Sequence, residues 1–423
     1  MIFYLLFKLG SQAALSIFVG LLAVVSIYLL YRQLQGAEIT KAFILIFGSL
    51  VVSVVWSPRP QMLSFALLTL TTFILLRGMQ TKKTIWLLLP VFILWSNLHG
   101  GYALGLLLLG STIAGEVLDK ILNPDLSRLG WKELRLYAAV TIACYLVTAI
   151  NPNGINTWLI PFKTVGVQGL QNLISEWASP NFHDPVQLLF LVFVFSVFWI
   201  IGLSKKSINP RDLLLISIFG IMAFISRRNI GPFVIVACPI LSRYIGDAWL
   251  AVAASSPRLA ALEQKMKNRG EKRIPERMRV VTNIFILFAL GAAALVKVIA
   301  VTEQDFVNET ISTMYPKTAA AWITSNKPAG NLLNEYDWGG YLIWELRDYP
   351  VFIDGRTDLF GDEIIGQWLE MINCGPAWDT LVRKWSINLL LIRPDRPLVR
   401  CGIQNGWSIA YQDDHAVVLT PSR

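Results

Sequence analysis

Residues 186–204 read VQLLFLVFVFSVFWIIGLS, a run without a single charge that passes directly into Lys205-Lys206. As a helix rising ~1.5 Å per residue, it covers a hydrocarbon core of ~30 Å, and no face of it suits water. Comparable runs recur, and spans are expected at 12–31, 39–57, 61–77, 85–97, 102–118, 134–150, 186–204, 212–227, 231–247 and 280–301. The fourth is short; with the fifth it could form a hairpin that stops short of crossing, which leaves later sidedness unchanged. The N-terminus lacks the basic head and small-residue cleavage site of a signal peptide and reads as a mature span. Composition agrees: 54% of residues are hydrophobic and 15% charged, with a mean hydropathy of +0.53, where soluble domains carry about 25% charged residues. The expected fold is a polytopic α-helical membrane domain of about ten spans at 1–301, followed by a small α/β extracytoplasmic domain at 302–423.

Charge separates the two parts. The chain carries +9 overall, yet residues 302–423 hold 16 acidic and 10 basic side chains while 1–301 hold 12 and 27. Positive charge confined to the loops of a membrane domain argues against nucleic acid as a partner. Alternate loops carry 21 lysines and arginines against 5 in the opposite set, and the basic stretch at 248–279 belongs to the rich set. Basic loops stay in the cytoplasm. The chain is thus expected in the inner (plasma) membrane, multi-pass, with its N-terminus and the acidic 302–423 domain outside.

The outer loops then share a polar character that the cytoplasmic loops lack: Trp56–Gln61, Ser96–Gly101, Asn151–Gly154, Glu176–Pro185 and Ser226–Asn229. Polar residues gathered at one membrane surface mark a candidate site. Arg227 and Arg228 stand against the positive-inside rule, and two guanidiniums suit bidentate phosphate binding; Arg59 either joins them or snorkels to headgroups. Glu176 and Asp184 are the carboxylates of this surface, and Glu176 beside Trp177 is the better candidate for proton abstraction. His99, at a glycine bend next to Asn97, reads equally as a substrate ligand or a hydrogen-bonded structural histidine. No Cys/His grouping has metal-ligand spacing, and a divalent metal requirement is left open.

In 302–423 alternating elements favour a partly parallel sheet. Strands are expected at 330–336, 351–354, 387–392, 407–411 and 416–419, and helices from 315, near 338–346, 360–373 and 376–384. Polar residues at strand ends, Glu335, Asp337, Asp354, Arg356 and Asp358, form a second candidate cluster, with capping of turns and helices by Asp354 and Asp358 and salt pairing by Arg356 as the structural alternative. Cys374 and Cys401 face an oxidising side and are candidates to pair. No P-loop, nucleophile elbow or zincin motif is present. Asn308-Glu309-Thr310 is a glycosylation sequon, meaningful only in a host that glycosylates there.

Many spans, functional loops outward and an outer α/β domain resemble the GT-C class of membrane glycosyltransferases, which use polyprenyl-phosphate-linked sugars. Trp56–Pro60, Asn97–Gly101, Asn151–Gly154 and Glu176–Pro180 resemble outer-loop elements of bacterial members. Tyr336-Asp337-Trp338-Gly339-Gly340 is similar to the Trp-Trp-Asp-Tyr-Gly motif that helps hold the acceptor in the oligosaccharyltransferase catalytic subunit, with the residue order changed. The resemblance implies a polyprenyl-phosphate-linked sugar as donor, a glycan, lipid or protein as acceptor, and membrane lipid as surroundings. The family's catalytic acid usually lies in the first external loop, whereas Met1–Gly36 holds no Asp or Glu. Three readings follow: a member lacking its first span and external loop, a member in which Glu176 or an outer-domain carboxylate substitutes, or a non-catalytic scaffold of an envelope-assembly complex. A transporter fits worst, since the span centres are apolar and no repeat is visible.

Overall fold

The computed structural model describes residues 2–53, 56–124, 129–166, 174, 176–271 and 275–422. Val54 and Val55 of the second expected span, and the loop cations Arg128, Lys272 and Arg273, lie outside them. The described chain is mostly helical with one small sheet, and it divides into two compact units: 1–162 with 175–294, and 163–174 with 295–423.

The first unit contains α1 (Ile2–Tyr31), α2 (Glu38–Val52), α3 (Gln61–Gly78), α4 (Leu88–Leu98), α5 (Tyr102–Leu122) and α6 (Trp131–Val147), and the short α7 (Ile160–Gly166) is divided between the units. It continues with α8 (Pro185–Leu203), α9 (Pro210–Ile225), α10 (Ile230–Ala254), α11 (Pro257–Glu271) and α12 (Glu276–Thr302), the last shared between the units. Each of the ten expected spans overlaps a helix among the described residues. Among the described residues, five of the ten expected spans lie on helices long and apolar enough to cross a membrane: Ile2–Tyr31, Gln61–Gly78, Pro185–Leu203, Arg227–Ala254 and Glu276–Thr302. The fourth expected span is a 3-10 turn at Lys82–Leu87 running into the 11-residue α4.

Helix α10 is the hub. Every residue from Ile230 to Ser242 is buried, the pattern of a helix that is apolar all round and surrounded by others. Phe233 makes edge contacts with Phe190 and Phe193 of α8. On α5, a Cβ at Gly115 would overlap the backbone of Arg211, so glycine there sets how closely α5 and α9 approach. The outer helices present apolar faces to the surroundings: Phe195, Phe198 and Trp199 of α8 are exposed, and no residue of α12 is buried. Apolar surface on that scale requires lipid around it. This is a membrane protein.

The basic stretch at 248–279 ends α10, forms α11 and begins α12, with Ser255, Ser256 and Pro275 between the helices. Proline at the first position of α11 and its Ala, Leu, Glu, Gln and Lys content favour helix.

The second unit adds α13 (Gln304–Met314), α14 (Lys317–Asn326), β1 (Asn331–Asn334), α15 (Gly339–Glu345), α16 (Thr357–Ile372), α17 (Trp378–Lys384), β2 (Ile387–Ile392), α18 (Pro397–Gln404), β3 (Trp407–Gln412) and β4 (Val417–Pro421). The sheet order is β1-β2-β4-β3, with β1 and β2 parallel and the other pairs antiparallel. The strand expected at 351–354 is absent. Its backbone bonds to a side chain: Asn334 Oδ1 accepts from the N–H groups of Phe352 and Ile353, and Asn334 Nδ2 donates to Ile353 O at 2.8 Å. Cys374 and Cys401 are disulfide-bonded with their Cα atoms 6.3 Å apart, within the range such bonds need. Cys374→Ser should therefore abolish the difference in gel mobility between reduced and non-reduced protein.

Candidate functional site

The five polar loops expected at one surface do gather at one end of the helical unit. Gln61 Nε2 donates to Arg228 O at 3.3 Å, Asn97 Nδ2 to Ile150 O at 2.7 Å, and Tyr102 OH to Thr157 O at 2.5 Å. The 176–184 loop is laced to the turn between α9 and α10: the N–H of Arg228 donates to Glu176 O, that of Arg227 to Ala178 O, each at 3.0 Å, and Ser226 Oγ to Glu176 O at 3.1 Å.

That lacing fixes the charged side chains. Arg59 and Glu176 form an ion pair. The Arg228 guanidinium lies 4.1 Å from the centre of the Trp177 ring, close enough for cation–π attraction. Asp184 caps α8, accepting from Val186 N at 2.9 Å and from Gln187 Nε2 at 2.8 Å. Those hydrogen bonds, with the charge of Arg227 beyond them, hold its carboxyl below the ordinary value. Each of the three arginines nominated for phosphate thus faces a group in the 176–184 loop.

His99 sits at the end of a relay. Trp95 Nε1 donates to Ser64 Oγ at 2.8 Å, and Ser64 Oγ lies 2.6 Å from His99 Nδ1, which also accepts from the N–H of Gly101 at 3.1 Å. Because Nδ1 accepts, the ring proton belongs on Nε2. Burial, reinforced by Arg228, pushes the His99 pKa down to about 4, so the ring is neutral near pH 7. In Arg228→Gln, nitrogen-15 NMR of the histidine ring should show protonation at a higher pH than in the wild type. His99, Arg228 and Trp56 line one cavity of about 40 Å³, room for one to a few waters or an oxyanion oxygen rather than a sugar. Trp56 Nε1 is a buried donor without an acceptor among the described residues. Asn97 spends its side-chain N–H groups on Ile93 O and Ile150 O, fastening α4 to the end of α6.

In the second unit the polar cluster forms where β1 and β2 end side by side, the position at which parallel sheets place their sites. Glu335 is 1% exposed. It accepts from Arg396 Nε at 2.8 Å and Nη2 at 2.7 Å, and from the N–H of Arg393 at 3.1 Å. Arg393 also reaches Asp337 at 3.1 Å and lies 5.7 Å from the centre of the Trp338 ring. Trp338 is buried and packs with Leu332, Leu342 and Leu389, leaving Asp337 as the exposed member of that pair. A Cβ at Gly339 would collide with Ile353 O and Asp354 Cα; glycine there brings Asp354 to this end. Asp354 accepts from the N–H of Arg356 at 2.8 Å and from its guanidinium. Burial opposes its charge, but the Arg356 hydrogen bonds prevail and hold the carboxyl below the ordinary value. The side chain of Asp358 lies outside the described structure. Arg393 and Arg396 escaped the sequence reading; the available signal was Arg-Pro-Asp-Arg directly after the apolar run 387–392.

Among the described residues, no group of three or more His, Cys, Asp or Glu side chains is placed to hold a metal ion. No family profile matches the sequence, and no curated protein matches it. Among solved structures, the chain is similar to ArnT from Cupriavidus metallidurans in the apo state, at 14% identity and a TM-score of 0.41, over 99% of this chain and 86% of that one.

Proposed function

We propose that the protein is an integral membrane glycosyltransferase that moves a sugar from a polyprenyl-phosphate donor to an envelope glycan, lipid or protein acceptor at the outer face. The observation that carries this reading is the Arg59–Glu176 pair, set beside Arg228 and the cavity of His99 and Trp56, at one end of helices that need lipid. In the transfer, Glu176 takes the proton of the acceptor hydroxyl, the hydroxyl oxygen bonds to the anomeric carbon, and the bond from that carbon to the phosphate oxygen breaks. The phosphate leaves with the electron pair, and Arg59, Arg227 and Arg228 stabilise its charge. Arg59 links both roles. A donor phosphate that takes up Arg59 releases Glu176, so donor binding itself would free the base.

One observation favours the alternative, a non-catalytic scaffold of an envelope-assembly complex: Glu176 and Asp184, the two carboxylates at this end, are both already engaged. Purified full-length protein in lipid, given radiolabelled polyprenyl-phosphate sugars and lipid or glycan acceptors, separates the two. Sugar transfer establishes the enzyme; donor binding without transfer indicates a member lacking its acid; neither leaves the scaffold.

A further inference from the structure

The opposite end of the helical unit, reached along α3 from Gln61 to Arg77, encloses a cavity of about 400 Å³ whose walls include Arg32, Gln33, Arg77, Glu116, Arg211 and Arg243. This volume is in the range of small-ligand sites, and the reading above makes no use of it. Two of its arginines are balanced. Arg211 donates to Glu116 Oε1 at 2.6 Å and to Asp212 Oδ1 at 3.1 Å, and Arg243 donates to Asp212 Oδ1 at 2.8 Å.

Arg32 and Arg77 are different. Both are exposed at helix ends, and among the described residues neither has a carboxylate within ion-pair distance. Arg32 Nη1 donates to Tyr28 OH at 3.0 Å, and Arg77 lies 5.5 Å from the centre of the Phe73 ring. The mouth therefore carries two uncompensated guanidiniums, the groups best suited to phosphate. The walls also hold residues with the opposite need: Glu116 Oε2 and Gln33 Oε1 are buried acceptors without a hydrogen-bond partner among the described residues. A ligand that fits both carries phosphate and, beside it, a hydroxyl donor.

An apolar groove adjoins. The N–H of Gln35, a cavity residue, donates to Ser242 Oγ at 3.1 Å, and Gly36 and Ser242 line a groove of about 880 Å³ with Ile39, Phe43, Ile245, Trp249 and Leu250. A polar, basic cavity beside an apolar groove between membrane helices matches a lipid: headgroup in one, acyl chain in the other.

We propose that this cavity holds the headgroup of an anionic phospholipid, its phosphate on Arg32 and Arg77 and its hydroxyls toward Glu116 and Gln33. The test is native mass spectrometry of the full chain in detergent, titrated separately with dioleoylphosphatidylglycerol, dioleoylphosphatidylcholine, glycerol 1-phosphate and inorganic phosphate. One phosphatidylglycerol should be retained in preference to phosphatidylcholine. The Arg32→Gln/Arg77→Gln protein should bind it at least about tenfold more weakly, a change of ~1.4 kcal/mol. Equal retention of the two lipids, or unchanged binding by the double variant, overturns the proposal. So does displacement of the lipid by glycerol 1-phosphate or phosphate at matching concentration, which would assign the site to a soluble phosphate ester. The two cavities share no lining residue, so failure here leaves the glycosyltransferase reading untouched, and the converse holds.

Discussion

Glu176→Gln should lower sugar transfer by about 10²–10⁴-fold, the usual contribution of a positioned general base, while donor binding persists. The amide keeps the shape of the side chain and can still lie against Arg59, so the lacing of the 176–184 loop through its backbone to Arg227 and Arg228 is preserved. The arginines should separate from the carboxylate in the kinetics. If Arg227 and Arg228 meet the donor phosphate as proposed, replacing both by Gln should weaken donor binding as well as turnover. Radiolabelled donor measured in both binding and single-turnover modes decides this. Unchanged turnover in Glu176→Gln would remove Glu176 from the chemistry, and unchanged donor affinity in the double arginine variant would remove the phosphate assignment.

The second large effect is on stability. Arg396→Met should destabilise the second unit by about 3–5 kcal/mol, because it leaves a buried carboxylate without its partner. Glu335 is 1% exposed and takes two hydrogen bonds from the Arg396 guanidinium; the N–H of Arg393 alone cannot carry the charge. Glu335→Gln should cost less, since Arg396, with a side chain 27% exposed, can turn to water. Limited proteolysis of the full-length variants, following cleavage within 302–423, measures the order. An equal or reversed order would mean that the arginine contributes packing rather than charge compensation.

Those two sites differ in how far they were legible. The helical nature of the first 300 residues is a property of local composition: a run such as 186–204 has no water-soluble alternative, whatever it packs against. The grouping of Arg59, His99, Glu176, Arg227 and Arg228 at one end was also readable, because alternate loops of a multi-span chain must lie on the same side. Which cation meets which carboxylate was not. The Arg59–Glu176 pair joins residues 117 positions apart, and nothing in either neighbourhood announces the other. His99 was read with two alternatives, and its relay through Ser64 to Trp95 depends on how α3 and α4 pack.

In the second unit the segments at 330–336, 387–392, 407–411 and 416–419 announce strands and overlap β1 to β4, whereas 351–354, read the same way, did not become one. The difference lies outside that segment, in the Asn334 side chain that satisfies its backbone groups. The roles of Arg393 and Arg396 depend on β1 and β2 running parallel, which brings 335–337 beside 393–396. The buried Glu116–Arg211–Asp212–Arg243 network likewise joins helix ends that look in the sequence like a span boundary and a basic loop. Hydrophobicity and charge bias act within a turn or two of the chain, so sequence alone determined where the helices and all but one of the expected strands form, and which loops share an end. Ion pairs, relays and cavities join segments from about 30 to about 200 residues apart, and these only the tertiary structure decided, since the strength of each depends on distance, direction and exclusion from water.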